Sequence, residues 1–491
     1  MNKAFIFTLF AIISIFVIKA QDDSPVLSLG NVIEQAQINS PSYQKAVTSA
    51  ENSYWSFRSY RSTLFPRLGL DATIPSYQAG NDRVLQPDGT YELRKRSVLY
   101  NSAYLQVDQN VPFTGGVFSV ASSLNRNESF APTQNLEYFS VPVTFNYNQP
   151  MLLYNQFKWD KKIQPLMYDE SMKRYTEDIE KISIETSSFF FDAITAQISH
   201  DLADMVKENT DTLYKLSVGR YNLGKIAEDE LLSIELRLLN AENALYQANI
   251  NRENSYKNLM RFLGYPLDTV IRLALPNNTP DLLILEEKAL MEAYENRQQV
   301  LEFERRKLQA DQQIAQARGR SGYDLNVRGQ FGVSGVGNTI PDSYLDANSQ
   351  QQYVAVNFTV PIVDWGAAKS RVRAAKSNKD LEMVNIGQDE VNFAQEVSIE
   401  VKNYTSQRKQ LVIASRADTI AQIRYNVTKQ RYLIGKIKIT DLNIAQQEMS
   451  NSRLTYLRAL RDAWISYYRI RALTLYNFEE NKKIFFEYNP D

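Results

Sequence analysis

Four stretches of the chain alternate between apolar and polar positions. Phe139, Val141, Val143, Phe145 and Tyr147 alternate with Ser140, Pro142, Thr144, Asn146 and Asn148. Val354, Val356, Phe358 and Val360 alternate with Tyr353, Ala355, Asn357 and Thr359. Leu68, Leu70, Ala72 and Ile74 follow the same rule, as do Leu325, Val327 and Phe331. A period of two predicts strands with one apolar and one polar face. Weaker alternation at Ala103, Leu105, Val107 and Val111, then at Phe118 and Val120 after an FTGG turn, adds two possible strands.

Elsewhere the period changes. Residues 366–433 contain no Pro and one interior Gly, Gly387; residues 155–223 contain only Pro165 and Gly219 as breakers. Ile179, Ile182, Thr186, Phe189, Ala193, Ala196, His200 and Ala203 recur at spacings of three and four, the spacing of a coiled-coil seam. At ~1.5 Å per residue, a run from 366 to 433 spans roughly 100 Å, far beyond an ordinary globular helix. Shorter runs at 226–263 and 440–478 follow, so each long helix is expected to fold back as an antiparallel hairpin, with Gly224 or Gly435 as a left-handed cap at its tip. Asp441, after Thr440, suits the N-cap of the returning helix.

The tips are nearly the same text. RYNLGKIAEDEL begins at Arg220 and RYLIGKIKITDL at Arg431, an offset of 431 − 220 = 211; Pro150 and Pro361 keep that offset. Upstream, FPRLGLDATI (65–74) aligns with GYDLNVRGQF (322–331) at an offset of 325 − 68 = 257. The difference, 257 − 211 = 46, is extra sequence in the first strand region. Two tandem repeats follow. The first spans 21–280, with a helix, strands at about 65–150 and helices at 155–223 and 226–263. The second spans 281–480, with a helix at 285–320, strands at about 323–361 and helices at 366–433 and 440–478; a tail covers 481–491.

Residues 1–20 carry a short cationic start, an apolar run and a terminal Ala20, the pattern of a cleaved export signal. The apolar run is shorter than the ~20 residues a spanning helix needs. Lys and Arg number 55 against 56 Asp and Glu, interspersed, so bulk charge implies neither nucleic acid nor an acidic partner. There is no Cys, so disulfides and a lipid-bearing Cys are excluded.

Catalytic signals are weak. The sole histidine, His200, lies on the helical seam, and the pairs Asp229/Glu230, Glu286/Glu287 and Asp389/Glu390 read as solvated helix charges. Gly115–Gly116 lacks the strand–loop–helix context of a phosphate site and reads as a turn. No catalytic residue, metal site or cofactor is expected.

An exported chain with strands near ten residues long, 29 Tyr and 23 Phe suits membrane strands with aromatic girdles. Four firm strands are too few for a membrane barrel, whose smallest form has about eight. Open sheet edges cannot face hydrocarbon, so several copies must share one barrel. An exported coiled-coil structural or adhesion protein without a pore is the other reading.

The duplicated layout, the NQPML and VPIVDWG strand-to-helix junctions and the two Y-x-x-G-x-x-x-x-x-[DE]-L tips together resemble the TolC-type outer-membrane efflux channels over about residues 25–480. The resemblance implies an α+β fold: a long antiparallel α-helical coiled-coil tunnel plus transmembrane β-barrel strands, the barrel shared between subunits. It further implies a homotrimer with four strands per chain, set in outer-membrane lipid of a Gram-negative bacterium with its helical domain in the periplasm. The partners it implies are a periplasmic membrane-fusion adaptor and an inner-membrane pump, for small-molecule efflux or type I secretion. Leu223, Gly224, Ile434 and Gly435 are then adaptor-docking candidates. Tyr432 and Asp441, with Glu230 in the first tip, match the family's entrance gate. The family's gate Arg does not carry over: Ile437 stands there, between Lys436 and Lys438. On the family pattern, the extra segment at about 79–136 is expected outside the membrane wall.

Overall fold

The computed structural model describes residues 26–489 except 152, 268, 270, 277, 278 and 435. The export signal expected at 1–20 and the tip residue Gly435 lie outside the described residues. In chain order the elements are β1 (Val26–Leu27), α1 (Leu29–Asn39), α2 (Pro41–Ser62), β2 (Arg67–Leu85), β3 (Tyr91–Val111), β4 (Gly116–Ala131), β5 (Asn135–Gln149), α3 (Gln156–Asn222) and α4 (Glu228–Leu263). Then come β6 (Arg272–Leu273), α5 (Glu286–Asn296), α6 (Gln298–Gly319), β7 (Asp324–Gly337), α7 (Ile340–Leu345), β8 (Ser349–Thr359), α8 (Ala367–Leu433), α9 (Ile439–Thr474), β9 (Tyr476–Asn477) and β10 (Lys482–Lys483).

The duplication governs element boundaries. Every boundary of α8 and α9 matches that of α3 and α4 at the same offset as the tips, so both halves pair a 67-residue helix with one of 36. Every boundary of α5 and α6 matches that of α1 and α2 at the larger, upstream offset, and the start of β7 matches the start of β2 likewise. The single helix expected over 285–320 is two helices, broken at Arg297 (φ −70, ψ 144) as its repeat mates break at Ser40 (φ −66, ψ 151). Pro41 explains the first break, since a residue before proline is pushed out of the helical region. At the second, the buried Arg297 guanidinium bridges Glu396 at 2.9 Å and Glu177 at 3.5 Å. It also lies over the Phe393 ring at 5.1 Å.

The chain forms two compact units. One comprises residues up to 43, 182–281 and 407–465; the other comprises 44–181, 282–406 and the segment from 466 onward. In the first unit α3 and α4 run antiparallel. Phe189 meets Phe262 with ring centroids 4.7 Å apart, Tyr256 donates to Gln197, and Arg252 Nη1 lies 3.3 Å from His200 Nδ1. The same nitrogen lies 3.3 Å from Asp201 Oδ1, so the ring sits between an acid of α3 and an arginine of α4. The half-buried seam histidine is thus held as a helix-to-helix contact. The α8–α9 pair is stitched the same way by Arg453 to Asp418 at 2.9 Å and by Arg424 to Glu448.

The second unit holds a six-stranded antiparallel sheet in the order β2-β3-β4-β5-β7-β8. The segment expected off the wall therefore supplies the middle of this sheet. Its turns are tight: Gly89 (φ +85) closes the β2–β3 turn, where Gln86 N donates to Thr90 O at 2.8 Å. At the next turn Gly115 (φ +89) N donates to Val111 O at 2.9 Å. The short α7 lies directly on β7, where a Cβ on Gly335 would stand 2.1 Å from the Ser343 carbonyl oxygen. Helices of this unit are joined by ion pairs: Arg305 to Glu170 at 2.6 Å, Arg306 to Asp389 at 2.8 Å, and Lys307 to Glu390 at 2.9 Å. The Asp389/Glu390 pair is thus engaged between α6 and α8 and is not merely solvated. Its core includes Ile179, Phe393, Tyr404 and Tyr467.

Candidate functional site at the hairpin tips

Both tips lie in the first unit, and they share a closing hydrogen bond. At the end of α3, Gly224 adopts φ +69; its N–H donates to Tyr221 O at 2.7 Å, and Lys225 N–H donates to Arg220 O at 2.9 Å. This pair of bonds satisfies the last carbonyls of the helix, and glycine is the residue that reaches this φ without strain. At the end of α8, Lys436 N–H donates to Arg431 O at 3.0 Å. Lys436 and Arg431 are the repeat mates of Lys225 and Arg220, so the two tips share this bond. The residues at each apex are apolar yet exposed: Leu223 is 71% exposed and its repeat mate Ile434 is 66% exposed.

Behind the apices lies a small core of Tyr425, Tyr432, Leu442 and Met449, with Leu202, Met205, Leu213, Ala421, Ile437 and Ile439 packed against it. Ile437 is therefore a packing position, which accounts for the missing charge there. Asn209, on α3, donates to Tyr425 Oη at 3.2 Å and accepts from Lys429 Nζ at 2.7 Å, tying the two hairpins together beside this core.

Of the gate candidates, the structure brings together Tyr432 and Glu230. Tyr432 is only 7% exposed. Burial pushes its hydroxyl pKa up; the nearby Arg220 and Arg237 guanidiniums oppose this, and Glu230 reinforces it. Burial pulls Arg237 below its ordinary value, with Tyr432 acting in the other direction. Two arginines of the first hairpin thus lie near enough to a tyrosine of the second to act on its charge. Sequence reasoning looked for the Arg next to Tyr432 and missed both. A signal was present: Arg220 opens the repeated tip motif, and Arg237 follows Glu230 by two helical turns, on the same face of α4.

Asp441, Lys436 and Lys438 are exposed and lie outside this cluster. Asp441 is not the N-cap of α9. The helix begins at Ile439, so Asp441 sits in its first turn, and its N–H donates to Lys438 O at 3.2 Å. An acid there still complements the helix macrodipole. Glu228, Asp229 and Glu230 occupy the first turn of α4 in the same sense.

Two apolar stripes near the tips have no partner within the unit. Leu232, Leu236, Leu239, Tyr246 and Ile250 on α4 are exposed at spacings of three, four or seven. Ile413, Ile420 and Val427 on α8 are exposed one heptad apart. Such spacing is the signature of a coiled-coil seam awaiting another helix.

The chain matches the outer membrane efflux protein family over residues 289–474. It is 20% identical over 445 residues to the outer membrane protein TolC of Salmonella enteritidis, a match that covers 88% of this chain and 79% of that protein. Its fold is similar to that of the CmeC outer membrane channel of Campylobacter jejuni, with a TM-score of 0.66 and 16% identity over 91% of this chain and 85% of that one. The MtrE outer membrane channel of Neisseria gonorrhoeae has a similar fold too, with a TM-score of 0.58 and 16% identity over 91% of this chain and 88% of that one. The resemblance to TolC-type outer-membrane efflux channels holds, and so does the α+β fold. These matches point to the outer membrane of a Gram-negative bacterium, with the helical part in the periplasm.

Proposed function

We propose that this outer-membrane efflux channel works as a homotrimeric channel-tunnel, passing substrates from a periplasmic adaptor and an inner-membrane pump to the cell exterior. One observation carries the reading: the exposed heptad stripes on α4 and on the tip-proximal part of α8. Apolar seams of this kind are stable in water only when covered, and the α4 seam of one copy against the α8 seam of the next closes a ring of hairpins. The two open edges of the sheet make the same demand inside the membrane.

In this reading the two tandem repeats, 21–280 and 281–480, give six hairpin tips per trimer. The cluster of Tyr432, Glu230, Arg220 and Arg237 couples the two hairpins of each copy and holds the entrance closed. Asp441, Lys436 and Lys438 ring the entrance as exposed charges and act on passing ions. Leu223, Gly224, Ile434 and Gly435 form the apolar contact for the adaptor. The chain performs no chemistry; it supplies a passage.

The test is the mass of the detergent-solubilised, purified protein by light scattering, with planar-bilayer recording. A mass of three copies with discrete conductance steps is expected. A lone subunit, or recovery from the soluble periplasmic fraction, would overturn the proposal.

A further inference from the structure

Resting on that reading, we infer that β3 and β4 are staves of the membrane wall, so that each copy supplies six strands and three copies build a barrel of eighteen.

Hydrogen-bond accounting is the first argument. β2 pairs with β3 alone, and β5 pairs with β4 and β7. Were β3 and β4 outside the membrane, β2 would stand in hydrocarbon with no partner on either side in its own chain, and β5 would be a bare edge. Unpaired strand amides are not tolerated there. With β3 and β4 in the wall, every strand from β3 to β7 has both neighbours, and only β2 and β8 are edges. Six antiparallel strands leave β2 and β8 running in opposite directions, so β8 of one copy meets β2 of the next in antiparallel register.

The faces are the second argument. The register aligns Leu68, Val107, Val120, Phe145 and Phe331 in one row across β2, β3, β4, β5 and β7. It aligns Arg67, Asp108, Ser119, Asn146, Gln330 and Tyr353 in the next row, which faces the other side. The apolar face continues on β7 and β8 through Val327–Val356 and Leu325–Phe358. The two inserted strands thus carry the same alternation, in phase with strands on both sides. A hairpin in water needs no continuous apolar row; a barrel wall needs one outside and a polar one within.

Length is the third. β3 has 21 residues and β4 has 16, above the ~9–11 a tilted stave needs. The surplus of the β2–β3 hairpin is its charged end, with Asp82, Arg83, Glu92, Arg94 and Lys95, which suits water beyond the hydrocarbon. Barrel diameter grows roughly linearly with strand number, so eighteen staves give a bore about one and a half times that of twelve.

The experiment exploits the absence of Cys from the chain, which makes any introduced thiol unique. Full-length V107C, V120C, Q106C and S119C, with L325C as reference, are labelled with a fluorophore and reconstituted in phosphatidylcholine vesicles. Quenching by a spin-labelled phospholipid and by aqueous iodide is then compared. Positions 107, 120 and 325 are expected to be quenched by the lipid probe, and positions 106 and 119 by iodide. If L325C reports lipid while V107C and V120C report only water, the six-stave wall is overturned and the channel reading stands. If L325C also reports only water, the membrane reading itself falls. Imaging the unmodified protein by cryo-electron microscopy gives an independent count: eighteen strands support the inference, and twelve overturn it.

Discussion

The Arg220 guanidinium, from the first hairpin, lies near Tyr432, from the second, far along the chain, and opposes the burial that raises its hydroxyl pKa. The approach sets a guanidinium of one tip against a buried hydroxyl of the other within one copy. Tyr432→Phe and Arg220→Ala are each expected to loosen the tips and raise single-channel conductance. Since both remove the same contact, the double variant should exceed the larger single effect only slightly. In a stability cycle the coupling should be about 0.5–3 kcal/mol. Simple additivity in either measurement would show that the contact does not hold the tips.

Ile437 fills the place where the family's gate would put an arginine, and it packs on the Tyr425–Tyr432–Leu442–Met449 core. Ile437→Arg is therefore expected to destabilise the tip by about 1–3 kcal/mol, as a charge set against apolar side chains does. Leu442→Ala should cost about 2–5 kcal/mol by leaving a cavity in the same core. Hydrogen exchange at the tip amides would read both, with the sheet amides unchanged.

The long helices were legible because so little interrupts them, only Pro165 and Gly219 in α3 and Gly387 in α8, and the offset of 211 could be read from Arg220/Arg431 and Pro150/Pro361 alone. The break at Arg297 was not legible: no Pro or Gly marks it, and the bridged Glu177 and Glu396 lie far off in the chain, one on either side. Arg220 and Arg237 were hidden for a related reason, since they approach Tyr432 only when the two repeats pack together. Alternation did point to β3 and β4, but Ser122, Ser123, Asn125 and Asn127 dilute it in the upper part of β4. Only pairing with both neighbours shows that these strands belong to the sheet.

Burial pushes the Tyr467 hydroxyl up to about 12, with Arg471 pulling the other way, and burial pushes Tyr404 up to about 12 as well. An unfolded tyrosine releases its proton near about 10. The fold keeps protons that the unfolded chain would lose, so this contribution to stability is complete below about pH 10 and drains away as pH rises towards about 12. Alkaline unfolding is expected in that window, with delayed tyrosinate absorbance in the ultraviolet. Tyr467→Phe should shift the midpoint to higher pH; an unmoved midpoint would show that another group governs it.

The exposed stripes give the most direct test of assembly. Leu236 on α4 and Ile420 on α8 are 61% and 57% exposed within one chain, at positions where a coiled coil buries its knobs. Neither packs in the tip core, so changing them spares the fold of the single chain. Leu236→Asp and Ile420→Asp each place a carboxylate in the seam proposed between copies, where desolvation without a partner is costly. Each variant is expected to yield monomers, or trimers that dissociate at lower temperature, while the helical circular dichroism of the chain persists. Leu236→Asn, similar in size and uncharged, should weaken the assembly less, because only the charge carries the full penalty. Light scattering in detergent across the three variants orders them by the cost of what enters the seam. Trimers of unchanged stability in both aspartate variants would show that these stripes meet something other than a second copy of the chain.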